Sequence, residues 1–357
     1  MSRETLTDSQ VYRVGIIGCG RMASTIDEEK QNQPGRFPQP VALAQAYRQV
    51  SRTEVVAAAD IDHQRLQAFS ARWGVDRVYA DYREMLEVED LDIVSVATHA
   101  DLHCELTVAA AEAGVRGVLC EKSMAISLPE ADRMIAACSE AGATLAVHFH
   151  NRWDPLFVRV RDLIADGAIG SLISASGSMG PELVHEAGHM FDLFRFMVGG
   201  EVAWVVGQLD DEPAAHLDPG GSGYLMFRNG VHAFLNATKG CPVGFEFDFV
   251  GTKGRIRIGY FVDELWTVEE GLHEGRALVG RKIPQHVEAR SGTVKAIEEL
   301  AACVAGEKEI SCTGEDGRAA LEVALAIHRS HREGGARIDL PLVDETTVVG
   351  NPKYGGS

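Results

Sequence analysis

Glu121 and Lys122 stand directly after the apolar run at 117–120. A run this apolar is typical of a strand that is buried on both faces of a parallel sheet. Ligands bind at the carboxyl ends of such strands. An acid and an amine side by side at that edge therefore predict chemistry rather than packing.

A glycine-rich turn opens the chain's first apolar segment. Residues 18–23 fit the pattern G-x-G-x-x-G/A directly after a strand-like run at 11–17. Such glycines allow a tight turn and let backbone N–H groups approach a pyrophosphate at a helix N-terminus. We therefore expect a dinucleotide, and with it a redox cofactor beside Lys122, to contact the following residues: Gly18, Cys19, Gly20, Arg21 and Met22.

The cofactor type is indicated by Asp60, which directly follows the second predicted strand at 54–59. We expect Asp60 and the next residue, Ile61, to contact the cofactor. A carboxylate there accepts hydrogen bonds from the adenosine ribose and repels a 2′-phosphate, so we expect NAD, with NADP as the alternative. In the competing interpretation Asp60 caps the helix predicted at 62–72, a role that Asp62 could also fill. The polar segment 27–40 accounts for the long spacing between the glycine-rich turn and Asp60. This segment is either a lid or a plain surface loop.

A third loop follows the strand predicted at 91–97 and carries Thr98, His99 and His103. We expect this loop on the nicotinamide side of the cofactor. For His103, a buried structural role is an equally good interpretation.

Residues 185–189 match H-E-x-x-H, the zinc-metalloprotease signature. On a helix, that spacing would place His185 and His189 on one face as zinc ligands, with Glu186 as general base. Gly188 is a poor residue for the middle of a ligand helix, and Glu201 lies too near for a third ligand. We therefore expect no metal and no peptidase activity.

The elements that must position these residues change character near residue 150. Strand and helix patterns alternate before it, which predicts a doubly wound parallel sheet. Hairpin-like strands dominate after it, with an Asn-Gly turn signal at 229–230, and predict a large, open, mostly antiparallel sheet. The α/β chain is thus divided into a polar tail at 1–10, a Rossmann domain at 11–150, a substrate and oligomerisation domain at 151–345, and a second tail at 346–357.

Composition excludes several classes of protein. The chain has 357 residues and a formal net charge of −18, which argues against nucleic acid or an anionic membrane as partner. No apolar run approaches the length of a membrane span, and residues 1–10 show no signal peptide. The seven scattered cysteines suit a reducing compartment, so we expect a cytoplasmic protein.

Taken together, the sequence resembles the glucose–fructose oxidoreductase / inositol dehydrogenase / MocA (Gfo/Idh/MocA) family from Val11 to about Ile338. The combination of Glu-Lys after the fifth strand with a later His-x-x-Asp is specific. The segments that carry the resemblance are Gly15-Ile16-Ile17-Gly18-Cys19-Gly20, Asp60, Asp81-Tyr82-Arg83-Glu84-Met85-Leu86, Leu102-His103, Glu121-Lys122, Asn151-Arg152-Trp153-Asp154-Pro155 and Gly188-His189-Met190-Phe191-Asp192.

The resemblance implies roles for individual residues. It makes His189 the general base and Lys122 the group that contacts both the reacting hydroxyl and the nicotinamide ribose. It makes Glu121 a cofactor-side residue. The substrate contacts that it implies are Lys122, His150, Asn151, Arg152, His185 and His189.

The sequence departs from the family pattern at three positions. Ser123 replaces the proline after Glu-Lys, Ala187 replaces a glycine, and His185 replaces an acid or amide and is a second candidate catalytic residue.

The resemblance implies hydride transfer between a nicotinamide and a secondary alcohol or ketone of a sugar, cyclitol or sugar derivative. It also implies a homo-oligomer, a dimer or tetramer, assembled through the C-terminal sheet. Two alternatives stay open at this point: a glycosidase that uses NAD for transient oxidation, and a non-catalytic NAD-sensing protein. Retention of both Lys122 and His189 argues against the second.

Overall fold

A computed structural model describes residues 10–31, 38–210, 218–242, 244–270, 276–283, 290–343 and 346–350. Its first sheet has six parallel strands in the order β3-β2-β1-β4-β5-β6, which confirms the predicted doubly wound sheet. The strands are β1 (Tyr12–Ile17), β2 (Thr53–Ala59), β3 (Arg77–Tyr79), β4 (Ile93–Val96), β5 (Gly117–Cys120) and β6 (Thr144–Val147).

Helices cover both faces of this sheet. A π-helical turn at Arg21–Thr25 leads into the first of them, α1. The helices are α1 (Ile26–Lys30), α2 (Leu43–Tyr47), α3 (His63–Trp73), α4 (Tyr82–Val88), α5 (Ala100–Glu112) and α6 (Leu128–Ala141). The insertion predicted at 27–40 is therefore helical at its start, and its centre, 32–37, lies outside the described residues.

The second sheet has nine strands in the order β14-β13-β12-β11-β7-β10-β9-β8-β15. Its pairings are antiparallel except that of β7 with β10, which confirms the mostly antiparallel prediction. The strands are β7 (Leu172–Ser178), β8 (Val202–Leu209), β9 (Gly221–Phe227), β10 (His232–Ala237), β11 (Glu246–Gly251), β12 (Gly254–Gly259), β13 (Asp263–Glu270), β14 (Arg276–Lys282) and β15 (Ile338–Asp339).

A 3₁₀ turn at His150–Trp153 follows the first sheet. Four further helices come after it in the chain, and α10 contacts strands of both sheets: α7 (Pro155–Ala165), α8 (Gly188–Val198), α9 (Gly292–Val304) and α10 (Gly314–Arg332). Although α9 follows every strand of the second sheet except β15 in sequence, its apolar face shares a core with the first sheet through Val294, Ile297 and Leu300. A Cβ on Gly117 would lie 2.8 Å from the Val304 side chain, so this glycine lets α9 approach β5 closely. In the described part of the chain, no helix combines the length and the apolar character needed to cross a membrane.

Candidate active site

The loops at the carboxyl edge of the first sheet enclose a cavity of about 700 Å³. The lining includes these residues that the sequence singled out: Gly18, Gly20, Arg21, Met22, Asp60, Ile61, Thr98, His99, Glu121, Lys122 and His185. It also includes residues outside the predicted site: Arg65, Tyr82, Leu102, Glu105, Leu106 and Glu186. The second domain thus closes one end of the cavity, through His185 and Glu186.

The glycine-rich turn has the shape that a bound dinucleotide requires. Gly18 has φ of +95°, and a Cβ there would lie 2.6 Å from the carbonyl oxygen of Ala97, so only glycine fits without strain. A Cβ on Gly20 would meet nothing within 4 Å, because this residue faces the cavity. The residues present therefore fit a pyrophosphate at the start of the helical segment.

Asp60 is held in place by backbone donors. The N–H groups of Cys19 and Asp62 donate to its two carboxylate oxygens at 2.7 and 2.8 Å. The cap of α3 is Asp62, whose side chain accepts from the N–H groups of Gln64 and Arg65. The capping alternative for Asp60 was therefore wrong, and its carboxylate instead braces the glycine-rich turn at the cavity wall. The Cys19 N–H is bonded to Asp60, and Cys19 is not part of the cavity lining. Its predicted contact with the cofactor stays a prediction.

His103 connects two of the loops that border the cavity. It is only 1% exposed, and its ring nitrogens lie 2.8 Å from the Ser123 carbonyl and 3.1 Å from the Thr98 carbonyl. These contacts favour the structural interpretation. The cofactor contact expected for His103 stays a prediction.

The junction after β5 supplies the central charged groups. The Lys122 ammonium donates to the His185 carbonyl at 2.9 Å, which joins the first domain to the loop that precedes α8. The buried Glu121 carboxylate lies 2.6 Å from Nδ1 of His148, a residue that follows the neighbouring strand β6. Burial opposes ionisation of Glu121, but His148 and Lys122 outweigh it and leave the pKa of this carboxyl below its usual value.

Three further histidines, His148, His150 and His189, cluster beside the Glu121–Lys122 junction, and they do not belong to the cavity lining. The ring centroids of His150 and His189 are 4.9 Å apart, and those of His148 and His150 are 5.8 Å apart. Burial, together with His150 and Lys122, holds the pKa of His189 well below its ordinary value, and burial likewise lowers that of His150 to about 3. His189 is therefore a neutral imidazole near neutral pH, and its Nδ1 has no hydrogen-bond partner among the described residues.

Arg152 lies in a buried ion-pair network and is not part of the cavity lining. Its side chain is 7% exposed and forms a two-point ion pair with Asp192, at 2.5 and 3.1 Å, plus a contact with Asp316 at 3.1 Å. Its guanidinium is committed to this buried network, which indicates a structural role, and the expected substrate contact of Arg152 stays a prediction. Asn151 is also buried and is not part of the cavity lining, so its substrate contact stays a prediction.

The structure does not form a zinc-peptidase site from His185 and His189. Helix α8 begins at Gly188, so His185 lies in the turn before it and the two imidazoles do not share a helix face. The side chains of Glu182, His185 and Glu186 do lie within 4.8 Å of one another. This group lacks His189, and clustered acids occur without a metal, so we assign no ion to it.

Comparison with known proteins agrees with this architecture. Residues 12–149 match the family model for the NAD-binding Rossmann fold of the GFO_IDH_MocA oxidoreductases, and residues 174–340 match that for their C-terminal α/β domain. A D-apiose dehydrogenase of Paraburkholderia graminis is 42% identical over 167 residues, which cover 47% of this chain and 40% of that protein. The myo-inositol 2-dehydrogenase of Thermotoga maritima is 26% identical over 352 residues, which cover 90% and 96%.

A solved structure extends the comparison to three dimensions. The WlbA dehydrogenase of Bordetella pertussis, solved with NADH and UDP-GlcNAcA, matches with a TM-score of 0.73 and 25% identity over 94% of this chain and all of that one. The two family models together cover most of the sequence, each in the domain where the fold places it. The chain therefore belongs to the Gfo/Idh/MocA family of NAD(P)-dependent oxidoreductases.

Proposed function

We propose that the protein is an NAD-preferring dehydrogenase that acts on a secondary alcohol of a sugar, cyclitol or sugar derivative. One contact carries this proposal. The ammonium of Lys122, which lines the cofactor cavity, donates to the carbonyl of His185, the first residue of the 185–189 segment of the second domain. Relatives named for D-apiose and myo-inositol, and a dehydrogenase solved in complex with UDP-GlcNAcA, support this class of substrate.

Lys122 in the cavity wall and the histidine cluster beside it suit alcohol oxidation. A nicotinamide bound there would supply the hydride acceptor. His189, neutral because its pKa is depressed, is ready to take the hydroxyl proton. The Lys122 ammonium would stabilise the negative charge that develops on the same oxygen. His185 and His150 are the further groups that we expect to contact the substrate.

The preference for NAD follows from Asp60. Its carboxylate lines the cavity and is fixed by two backbone N–H groups, so it cannot readily turn away from a 2′-phosphate. Arg65 lines the same cavity, and its Nε lies 3.4 Å from the Asp62 carboxylate. That ion pair reduces its capacity to neutralise an added phosphate.

A dehydrogenase screen tests both statements at once. The purified protein is incubated with a library of sugars, sugar acids and polyols with NAD or NADP, and cofactor reduction is followed by absorbance. We expect at least one carbohydrate to be oxidised, and NADH to bind more tightly than NADPH in fluorescence titrations. Asp60→Ala should narrow that difference, and Asp76→Ala, which changes an acid outside the cavity, should not. A wild-type preference for NADP would contradict the role given to Asp60.

We further propose that the protein is a homo-oligomer assembled through the open face of the second sheet. The Tyr224 ring centroid there lies 5.3 Å from that of Trp204 and 5.1 Å from that of Phe234, and Phe234 is 49% exposed. An exposed aromatic group on a sheet face is typical of a protein interface. Light scattering should give a mass of at least two chains, and Phe234→Glu should reduce it. A monomeric wild type would contradict this assembly.

A cytoplasmic location is proposed on the cysteines. Five of them carry buried free thiols: Cys19, Cys104, Cys120, Cys138 and Cys312. Buried thiols that pair with no other cysteine suit a reducing compartment.

A further inference from the structure

The segment 183–185, which carries His185, is held on its carbonyl side by the first domain. The Ser123 hydroxyl donates to the Val184 carbonyl at 2.6 Å, and the Lys122 ammonium donates to the His185 carbonyl at 2.9 Å. The position of the Lys122 ammonium therefore depends on the position of this segment.

The N–H side of the same segment is held by one buried carboxylate, Asp218. The Val184 N–H donates to it at 2.9 and 3.1 Å, and the His185 N–H donates at 2.8 Å. Asp218 is 4% exposed and precedes β9. The peptide group between Val184 and His185 thus accepts from Ser123 and donates to Asp218, so that it bridges the two domains.

We propose that Asp218 is a positioning residue for the reaction, because its ionised carboxylate fixes segment 183–185 and thereby places both Lys122 and the His185 side chain. The proposal rests on the function proposed above for Lys122. Asp218 itself does not line the cavity, so it acts through the segment and not on the substrate.

The charges around Asp218 make its ionisation sensitive to pH. Burial and the nearby Glu182 carboxylate together raise its pKa to about 7, although the N–H groups of Val184 and His185 oppose the increase. From α10, the Nε2 atom of His328 lies 4.0 Å from its Oδ1. Among the described residues, the other titratable groups tied to the segment are His185 itself and Lys122, which donates to the His185 carbonyl. Protonation of the Asp218 carboxylate would place an O–H group where the N–H groups of Val184 and His185 need an acceptor.

The way in which the free energy of unfolding changes as Asp218 ionises separates a positioning role for Asp218 from a purely structural one. Because the folded-state pKa lies above the ordinary value of 3.8, the free energy of unfolding falls as pH rises from about 4 to 7. Above pH 7 the cost of burying the charge is fully present. Removing the charge with Asp218→Asn, which keeps one acceptor oxygen, should therefore not lower the melting temperature at pH 8.

The test compares Asp218→Asn and Asp218→Ala with the wild-type protein. We expect kcat to fall by up to about 100-fold in the alanine variant, because small misplacements near the chemistry have effects of that size. The wild-type kcat should decrease below about pH 7, and the asparagine variant should lose this dependence. His189 does not produce the decrease, since its pKa lies well below 6.5.

A readout independent of turnover is the reactivity of the Lys122 amine. Acetylation of Lys122 by dilute acetic anhydride, measured by peptide mass spectrometry, should be faster in both variants because the ammonium has lost its fixed acceptor. The control is Asp210→Asn, which changes an acid that accepts the Lys239 N–H and does not contact segment 183–185.

The outcomes distinguish this proposal from the proposed function. Unchanged Lys122 reactivity in both variants overturns the role of Asp218, whatever the activity is. Faster acetylation with no dehydrogenase substrate found supports the role of Asp218 and contradicts the function. A lower melting temperature for Asp218→Asn at pH 8, with an unchanged pH profile, also overturns the proposal, because it indicates a structural role alone.

Discussion

Replacing His189 with Ala is expected to lower kcat by about 10²–10⁴, the usual contribution of a positioned general base. The dissociation constant for NADH should stay nearly the same. We expect kcat to fall because the buried imidazole is neutral and can accept the hydroxyl proton. We expect the affinity for NADH to stay the same because His189 does not line the cofactor cavity. Steady-state kinetics with the substrate found in the screen, together with a fluorescence titration of NADH, measures both quantities.

A suitable control for this variant is His63→Ala, since His63 is exposed on α3 and does not line the cavity. If His189→Ala kept near-normal turnover, the base would have to be another residue. His185, which lines the cavity, would then be the first candidate.

Replacing Lys122 with Met should lower kcat at least as much as the loss of His189, by about 10³ or more. Methionine keeps the length and apolar stem of lysine but supplies neither the charge nor the donor to a developing alkoxide. Because Lys122 also lines the cofactor cavity, a weaker affinity for NADH should accompany the loss.

The pattern of the Lys122→Met kinetics separates two roles. A fall in kcat at saturating cofactor indicates that Lys122 acts in the chemical step. An increase in the cofactor KM with an unchanged kcat would instead show that Lys122 only binds the cofactor, and would contradict the catalytic role.

The parts of the site that could be predicted from sequence are those fixed by local patterns. A glycine turn after an apolar strand needs only neighbouring residues, as the positive φ of Gly18 illustrates. The same is true of Glu121 and Lys122, because the apolar run before them identifies a buried strand and hence the edge at which they lie.

The remaining parts depend on residues that are distant in sequence. The ion pair of Arg152 with Asp192 spans 40 residues, and the bond of His185 to Asp218 spans 33. No local pattern shows whether a cation faces a ligand or a buried acid. One feature of the sequence could have identified His148 as a site residue: it directly follows β6, at the same sheet edge as Glu121.

Strands β13 and β14 show the same limit in the fold. Their sequences, Asp263–Glu270 and Arg276–Lys282, mix charged with apolar residues and did not predict a strand. They pair at the edge of the second sheet, where few of their side chains are buried. Partial burial weakens the alternation by which a strand is identified in sequence.

The position of α9 also limits how the molecule can move. This helix belongs to the C-terminal half of the chain, yet Ile297 and Leu300 pack in the core of the first sheet, and α10 contacts both β6 and β8. A hinge rotation that opened the two halves would have to break this shared apolar packing, which interdigitated cores resist. Access of ligands to the cavity is therefore expected to depend on displacement of surface loops, with the two sheets keeping a constant relative orientation throughout turnover.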